Sequence, residues 1–489
     1  MGYGGGSFSP GDTTYGLSII DFMGGGGLNI FNEQGSEAHF NDTNASISDE
    51  DGNLQFYFNG LFIEDSSSRK MLNGDQVNMY DTTIVAFGYD LPQGAVALPW
   101  PELAERYVLF HESDDFLDGI GLIGAELRYS VIDMQLNKEL GAVTEKRVLT
   151  LEDTLSWGQL TTTRHANGRD WWLLTPRKNK NQYYRIRLTP GGIINEGIQA
   201  VGQPVRSALG QACFSPDGKW YVRFNTVSIS EGQFIDIYDF DRCGGLLSNH
   251  RKIHYDENAA SGGIAISPNS RYLYVSSYLY IYQYDLWADD IEASRDTVAI
   301  YDGYTDVNGL GTRFYLAQLG PDGKIYLSCP NGVRELHVIH QPNEPGPACQ
   351  AEQRGLLLPT FNASSLPNFP NYRLGPIDGS PCDTLGIDNI PLARWRYGQD
   401  TLEPLRVGFT DLSAYEPAEW LWDFGDGNTS QDTSPVHVFE QDGLYEVCLT
   451  VSNANGSDTR CRELRLGVVA SGKAEGGSGK LLVQVFPNP

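Results

Sequence analysis

Acid–base or metal chemistry in this chain would have to start from its eight histidines and 62 acidic residues. His250 and His254 stand four apart in HRKIH, the spacing of two zinc ligands on one helix face. That metalloprotease pattern needs Glu beside the first His, and Arg251 stands there instead. His337 and His340 fall in the strand-like run ELHVIH and would point to opposite faces. No Gly-x-Ser-x-Gly nucleophile elbow occurs, and GGGG at Gly24 to Gly27 lacks the Lys-[Ser/Thr] of a phosphate loop. Glycoside hydrolysis needs two placed carboxylates and a cleft for the sugar. Acidic residues are plentiful, but the turn FSPDGKWYV puts Asp217 beside Gly218, unlike the S-x-D-x-G spacing of a sialidase box. No catalytic residue is assigned from the sequence.

Two acidic clusters have the hard oxygen atoms that calcium prefers. Asp49, Glu50 and Asp51 precede Gly52, and Asp423 and Asp426 share one turn. The competing reading is that such Asp-Gly stretches simply form hairpin turns. No cofactor is required on either reading, and Ca²⁺ is the one ion expected.

The elements that must carry any site are strands. The chain has 489 residues, 40% hydrophobic and 11% aromatic, enough to bury two or three cores. Its 55 glycines and 25 prolines punctuate it as turns do in an all-β protein. Thirty-five basic against 62 acidic residues give a net charge of −27. Such a surface repels phosphate backbones and anionic lipid headgroups, which argues against nucleic acid and membrane partners. No apolar run reaches 18 residues, so no helix is expected to span a bilayer. The opening MGYGGGSFSPGDTTYG has neither the basic nor the apolar region of a signal peptide. Either the chain is cytoplasmic or a leader has been removed, and the features below favour removal.

One pattern returns along the chain. FSPDGKWYV (Phe214 to Val222) is echoed by ISPNSRYLYV (Ile266 to Val275) and LGPDGKIYLS (Leu319 to Ser328). Pro presets one turn dihedral, Asp caps the turn, and Gly supplies a positive φ. An alternating strand follows, with Trp220, Val222 and Phe224 on one face. Gly218, Ser270 and Gly323 mark three copies. Gly168, Arg106 and Gly52 mark earlier ones. Second strands follow at Phe234 to Phe240, Tyr278 to Leu286 and Glu335 to His340. Short strands repeating about every 50 residues predict a β-propeller over residues 1–378. Seven blades are expected, with six or eight as alternatives. The strand-like leftovers Thr14 to Met23 and Ser365 to Leu374 would share the last blade, the N-terminal strand closing the ring against an open edge.

After a linker at 379–395, residues 396–468 resemble a PKD domain, an immunoglobulin-like β-sandwich. Trp422, Asp423, Phe424, Gly425, Asp426 and Gly427 stand as its W-D-F-G-D-G. Pro435, His437 and Phe439 match P-x-H-x-[YF], and Gly443, Tyr445 and Val447 match G-x-Y-x-V. Asn455-Gly456 is a hairpin turn. If its loop is Asn453 to Gly456, paired positions sum to 909, which sets Cys448 opposite Cys461 on the face away from the core. A cross-strand disulfide and an oxidising compartment follow. Cys349 and Cys382 flank the segment joining the two domains and are candidates for a second bridge. Cys213 and Cys329 read as buried thiols, and Cys243 is left over. None of the seven forms a CxxC pair.

A flexible linker at 469–480 leads to LLVQVFPNP at 481–489, which resembles the first strand of the C-terminal sorting domain used for type IX secretion in Bacteroidetes. The whole chain resembles secreted Bacteroidetes proteins that place a propeller before a PKD domain and a sorting tail. That resemblance implies export by the type IX machinery, then attachment at the outer-membrane surface or release. The expected role is a non-enzymatic binding, adhesion or structural protein, its propeller facing a protein or glycan and its PKD domain acting as a spacer. The alternatives are a carbohydrate-active enzyme or lectin with its site at the propeller mouth, and a subunit of an extracellular assembly, with a homo-oligomer as one option.

Overall fold

The computed structural model describes residues 2–3, 14–22, 27–78, 88–118, 121–204, 209–228, 232–255, 257, 262–399 and 402–466. Most of the Gly24 to Gly27 run, the 469–480 linker and the 481–489 sorting segment lie outside the described residues.

The first 362 residues form seven antiparallel sheets of three or four strands. The N-terminal sheet holds Gly2–Tyr3, Gly16–Phe22 and Leu28–Glu33. Six further sheets, blades 1 to 6, follow at residues 45–65, 95–155, 161–200, 209–255, 263–300 and 317–362. In the complete blades the strands pair in chain order, the up-and-down arrangement that short hairpin turns enforce.

Each sheet buries both faces, which explains runs such as Trp171–Pro176 in which every residue is buried. Seven apolar clusters lie between successive sheets. Ile47 and Phe58 of blade 1 meet Leu109 of blade 2, Phe110 of blade 2 meets Trp171 of blade 3, and Leu174 meets Tyr221 of blade 4. Phe224 then meets Leu273 of blade 5, and Tyr274 meets Leu327 of blade 6. The N-terminal sheet completes the circuit. Ile20 and Ile30 pack against Leu316, Leu336 and Leu358 of blade 6, while Leu17 and Ile19 pack against Tyr57 of blade 1. Alternate residues of one strand serve opposite neighbours, so this sheet occupies the seventh position of the ring. The body is a β-propeller.

The repeated turn has one backbone solution. Gly52, Gly168, Gly218 and Gly323 lie at φ of 83°, 74°, 72° and 78°. Ser270 takes the same left-handed turn at 60°, which costs a residue with a Cβ more than it costs glycine.

Ser365 to Leu374 differs from the strand expected of it: it joins no sheet. Its prolines, Pro367 and Pro370, cannot donate to a ladder, and its polar side chains serve another purpose described below.

Residues 395–466 form a separate sandwich. One sheet orders Trp395–Gln399, Arg406–Asp411 and Val436–Val438; the other orders Thr429–Ser430, Glu419–Asp423, Gly443–Asn453 and Gly456–Leu466. Trp395, Phe409, Trp422, Phe424, Val447 and Val451 fill its core. Trp422 is fully buried and its indole N–H is satisfied by the Asp432 carbonyl at 3.0 Å.

Candidate functional site

A propeller's default site lies on its axis, where the innermost strands converge. Here the axis is filled. Residues 363–377 run alongside the inner strands from one end of the ring to the other. At the upper end, where inner strands begin, Asn44 donates to Ser365 Oγ at 3.2 Å. Asn368 then donates to the carbonyls of Ala95, at 2.9 Å, and Leu160, at 3.0 Å. Lower down, the Tyr372 hydroxyl meets the Ala97 carbonyl at 2.8 Å, and Arg164 donates to the Tyr372 carbonyl at 2.9 Å. Beyond the inner-strand ends, Arg242 holds the Gly375 carbonyl at 2.6 Å and the Ile377 N–H meets Ala166 O at 2.9 Å. Glutamines close the axis further. Gln93 pairs both amide atoms with the Ala212 backbone, at 2.9 and 2.7 Å, and Gln211 donates to Ala317 O at 2.7 Å. Each joins blades that are not neighbours. These buried polar groups are paired, as low-dielectric burial demands.

Above the plug lies a group of ionisable side chains that the sequence reading did not single out. Ser364 of the plug donates to half-buried Asp42 at 2.7 Å. Burial, with Asp90 as a smaller contributor, lifts the Asp42 carboxyl to about 6. Burial and then Asp114 raise Asp90. Tyr89 hydrogen-bonds Asp114 through its hydroxyl, and its phenol is raised by burial and by that carboxylate. In the same strand as Asp114, Glu112 is wholly buried. It accepts from Thr175 at 2.8 Å through one oxygen, the other has no hydrogen-bond partner, and burial pushes its pKa up to about 8. His111, beside it, meets Asn78 at 2.6 Å and is held neutral by burial, its pKa near 3. Perturbed carboxyls near a mouth are the kind of group from which acid–base sites are built. The signal available in sequence was the pair His111-Glu112 directly after the apolar run Tyr107 to Phe110.

The residues singled out from sequence sit elsewhere. Asp49 accepts the Asp51 and Asn53 N–H groups, at 3.0 and 2.8 Å, and so shapes its own turn. Asp51 faces Arg460 at 3.1 Å and Arg462 at 3.8 Å across the domain junction. Asp423 accepts the Gly425 N–H at 2.9 Å. Asp426 takes His437 at 2.7 Å, whose ring stacks on Phe424 at 4.0 Å. Tyr445 donates to Gln441 O at 2.8 Å. Gly425 and Gly427 hold the turn at φ of 74° and 93°. No group of three or more His, Cys, Asp or Glu among the described residues is arranged to hold a metal ion. The tested histidines also have structural partners: His250 meets Asp236 at 2.8 Å, His254 stacks on Phe234, His337 meets Cys329, and His340 meets Glu352.

The cysteines need one correction. Cys448 and Cys461 are directly opposite and bonded, with Cα atoms 4.0 Å apart. Cys382, however, bonds to Cys243 rather than to Cys349. The plug delivers the linker to the lower end of blade 4, where Cys243 sits in a half-buried turn, whereas Cys349 is buried against Tyr274 and Phe314 between blades 5 and 6. Cys213, Cys329 and Cys349 are free, and burial raises all three thiols.

The two domains meet through arginines. Arg394 pairs with Glu50 at 3.0 Å. Arg396 pairs with Asp21 and also donates to the carbonyls of Phe22, at 2.7 Å, and Gly52, at 3.2 Å.

Comparisons with known proteins bear mainly on the sandwich. Residues 396–468 match the PKD domain family. A stretch of 41 residues is 49% identical to collagenase ColQ1 of Bacillus cereus, and one of 36 residues is 50% identical to a microbial collagenase of Vibrio alginolyticus. These stretches cover 8% and 7% of this chain and only 4% of each relative. Among solved structures, the PKD1 domain of Vibrio cholerae metalloprotease PrtV is 30% identical, over 16% of this chain and 98% of that one, with a TM-score of 0.15. A putative 6-phosphogluconolactonase of Bacteroides fragilis aligns over 71% of this chain and 95% of its own at 14% identity, with a TM-score of 0.38.

Proposed function

We propose that this PKD-bearing propeller is an extracellular or cell-surface binding platform without catalytic function. The filled axis carries the reading. Among the described residues, Asn368, Tyr372 and the paired glutamines occupy the axis, which favours ligands met on the ring's faces and rim. Two disulfides suit an oxidising compartment. The PKD domain and the short stretches shared with collagenases point the same way. The C-terminal VFPNP supports export by a type IX pathway in Bacteroidetes, with attachment at the outer-membrane surface or release. The partner is a protein or glycan of that surroundings, and the PKD domain sets the ring at a fixed attitude to whatever follows it. On this reading no cofactor is required and Ca²⁺ is an optional ion of the acidic turns, where Asp51 and Asp426 also have protein partners. Self-association into an extracellular assembly stands as a subsidiary form of the same role.

A second reading has its own observation. Asp42 and Asp90 at the mouth, with Asp114 close by, have the raised carboxyls a hydrolase would use. The purified full chain should be incubated with polysaccharide and sugar-lactone panels beside its Asp90→Asn variant. Absence of turnover upholds the platform reading. Turnover abolished by Asp90→Asn overturns it in favour of an enzyme at the mouth.

A further inference from the structure

A second concavity lies on the side of the ring, between blades 4 and 5, and belongs to none of the groups above. It is an open groove of about 450 Å³, within the size range of small-molecule sites. Blade 4 gives one wall, with Trp220, Arg251 and Lys252. The loop following the third strand of blade 5 gives the other, with Leu286, Asp290 and Glu292.

The chemistry of these walls is mixed in a selective way. An anionic ligand would meet Asp289, Asp290 and Glu292, and a cationic one would meet Arg251 and Lys252. A neutral molecule with many hydroxyls and apolar ring faces can use both signs, as acceptor toward one wall and donor toward the other. Arg251 is prepared for such a partner. Its guanidinium lies 4.9 Å from the Trp220 ring and one of its nitrogens holds Asp239 at 2.8 Å.

The blade 5 loop also carries Trp287, whose residue surface is 60% exposed. Its exposure is built. Asp285 accepts the Trp287 N–H at 3.0 Å and holds Arg271 through both carboxylate oxygens, at 2.7 to 3.1 Å. Arg271 in turn lies 5.3 Å from the Trp287 ring. The guanidinium backs the indole and limits its motion, which leaves the ring presented to solvent at reduced entropic cost.

We infer that this groove and the adjoining Trp287 form a binding site for a neutral saccharide chain. Trp287 stacks on the apolar face of a pyranose, Arg251 and Lys252 donate to ring or hydroxyl oxygens, and Asp290 and Glu292 accept hydroxyl protons. This rests on the platform reading and names the ligand class and the place on the rim.

The test is calorimetric titration of the full chain with cellohexaose, xylohexaose, laminarihexaose, mannohexaose and chitohexaose. Trp287→Ala, Arg251→Gln and the mouth variant Asp90→Asn are titrated beside it, each checked for an unchanged melting transition. Binding of at least one oligosaccharide is expected, weakened tenfold or more by Trp287→Ala, weakened by Arg251→Gln, and unchanged by Asp90→Asn. Should Arg251→Gln misfold, Trp287→Phe replaces it and is expected to retain most affinity. Binding that Trp287→Ala leaves intact overturns the site while leaving the platform reading in place. Binding lost only in Asp90→Asn moves the site to the mouth. No binding to any of the five overturns the inference, and the platform reading then rests on protein partners.

Discussion

Asn368 and Ala95 lie 273 residues apart in sequence, yet the Asn368 amide donates to the Ala95 carbonyl at 2.9 Å. The same amide group serves Leu160 at 3.0 Å, so one side chain ties the plug to blades 2 and 3 together.

Asn368→Ala should therefore destabilise the propeller by about 2–4 kcal/mol. It removes three buried hydrogen bonds, one of them accepted from Gln93 at 3.3 Å, and takes the amide donor from two carbonyls, each costing about 1–3 kcal/mol before relaxation. Denaturant unfolding followed by tryptophan fluorescence measures this. A loss below about 0.5 kcal/mol would mean that the plug is a passenger rather than part of the core.

The Cys243–Cys382 bond closes a loop of 139 residues. In the chain-entropy account a loop of that size stabilises by up to about 5 kcal/mol. Three of the seven cysteines should titrate with a thiol reagent in denaturant without reductant, because four are bonded. Peptide mapping should recover a fragment joining residues 243 and 382. Seven free thiols, or a fragment joining 349 to 382, would refute the pairing.

How much of this was legible beforehand depends on whether the determining interaction is local. The turn at Pro216-Asp217-Gly218 and the alternation after it are read within ten residues, so the blades and their period could be found. The Cys448–Cys461 register follows from one hairpin turn for the same reason. The plug could not be read that way. Ser365 to Leu374 looks like a strand because Tyr372 and Leu374 alternate with polar residues, but Asn368 and Tyr372 answer to backbone carbonyls more than 200 residues away. Pro367 and Pro370 were the available warning. The mouth was hidden too: Asp42, Asp90 and Asp114 come from two connections and a strand, and only the docking of the 42–43 segment on Tyr89 beside blade 2 brings them together. Cys243 looked unpaired because nothing in the sequence shows that the linker passes down the axis to blade 4.

The domain junction should respond to salt. Arg396 makes three contacts across it, two of them to backbone carbonyls, while the Arg394–Glu50 and Arg460–Asp51 pairs are partly exposed and easily screened. Arg396→Ala should loosen the PKD domain without unfolding either domain. Small-angle scattering is expected to show a larger radius of gyration for the variant, and a larger increase in 1 M salt than the wild type shows. Identical profiles for both proteins would mean that the disulfide and plug alone fix the linkage.

Glu112 gives a pH dependence of definite sign. Its folded pKa is raised from 4.5 to about 8 because burial penalises the carboxylate, with Thr175 offsetting part of that penalty. The folded state thus holds a proton that the unfolded chain releases. Below pH 4.5 both states are protonated and Glu112 contributes no penalty. From there stability falls as pH rises, and the loss is complete near pH 8, where the buried group ionises. Glu112→Gln keeps a similar shape and cannot ionise, and its amide oxygen can still accept from Thr175. The variant should match wild type near pH 4 and melt progressively higher as pH approaches 8. A constant difference in melting temperature across that range would show that Glu112 does not change its protonation on unfolding.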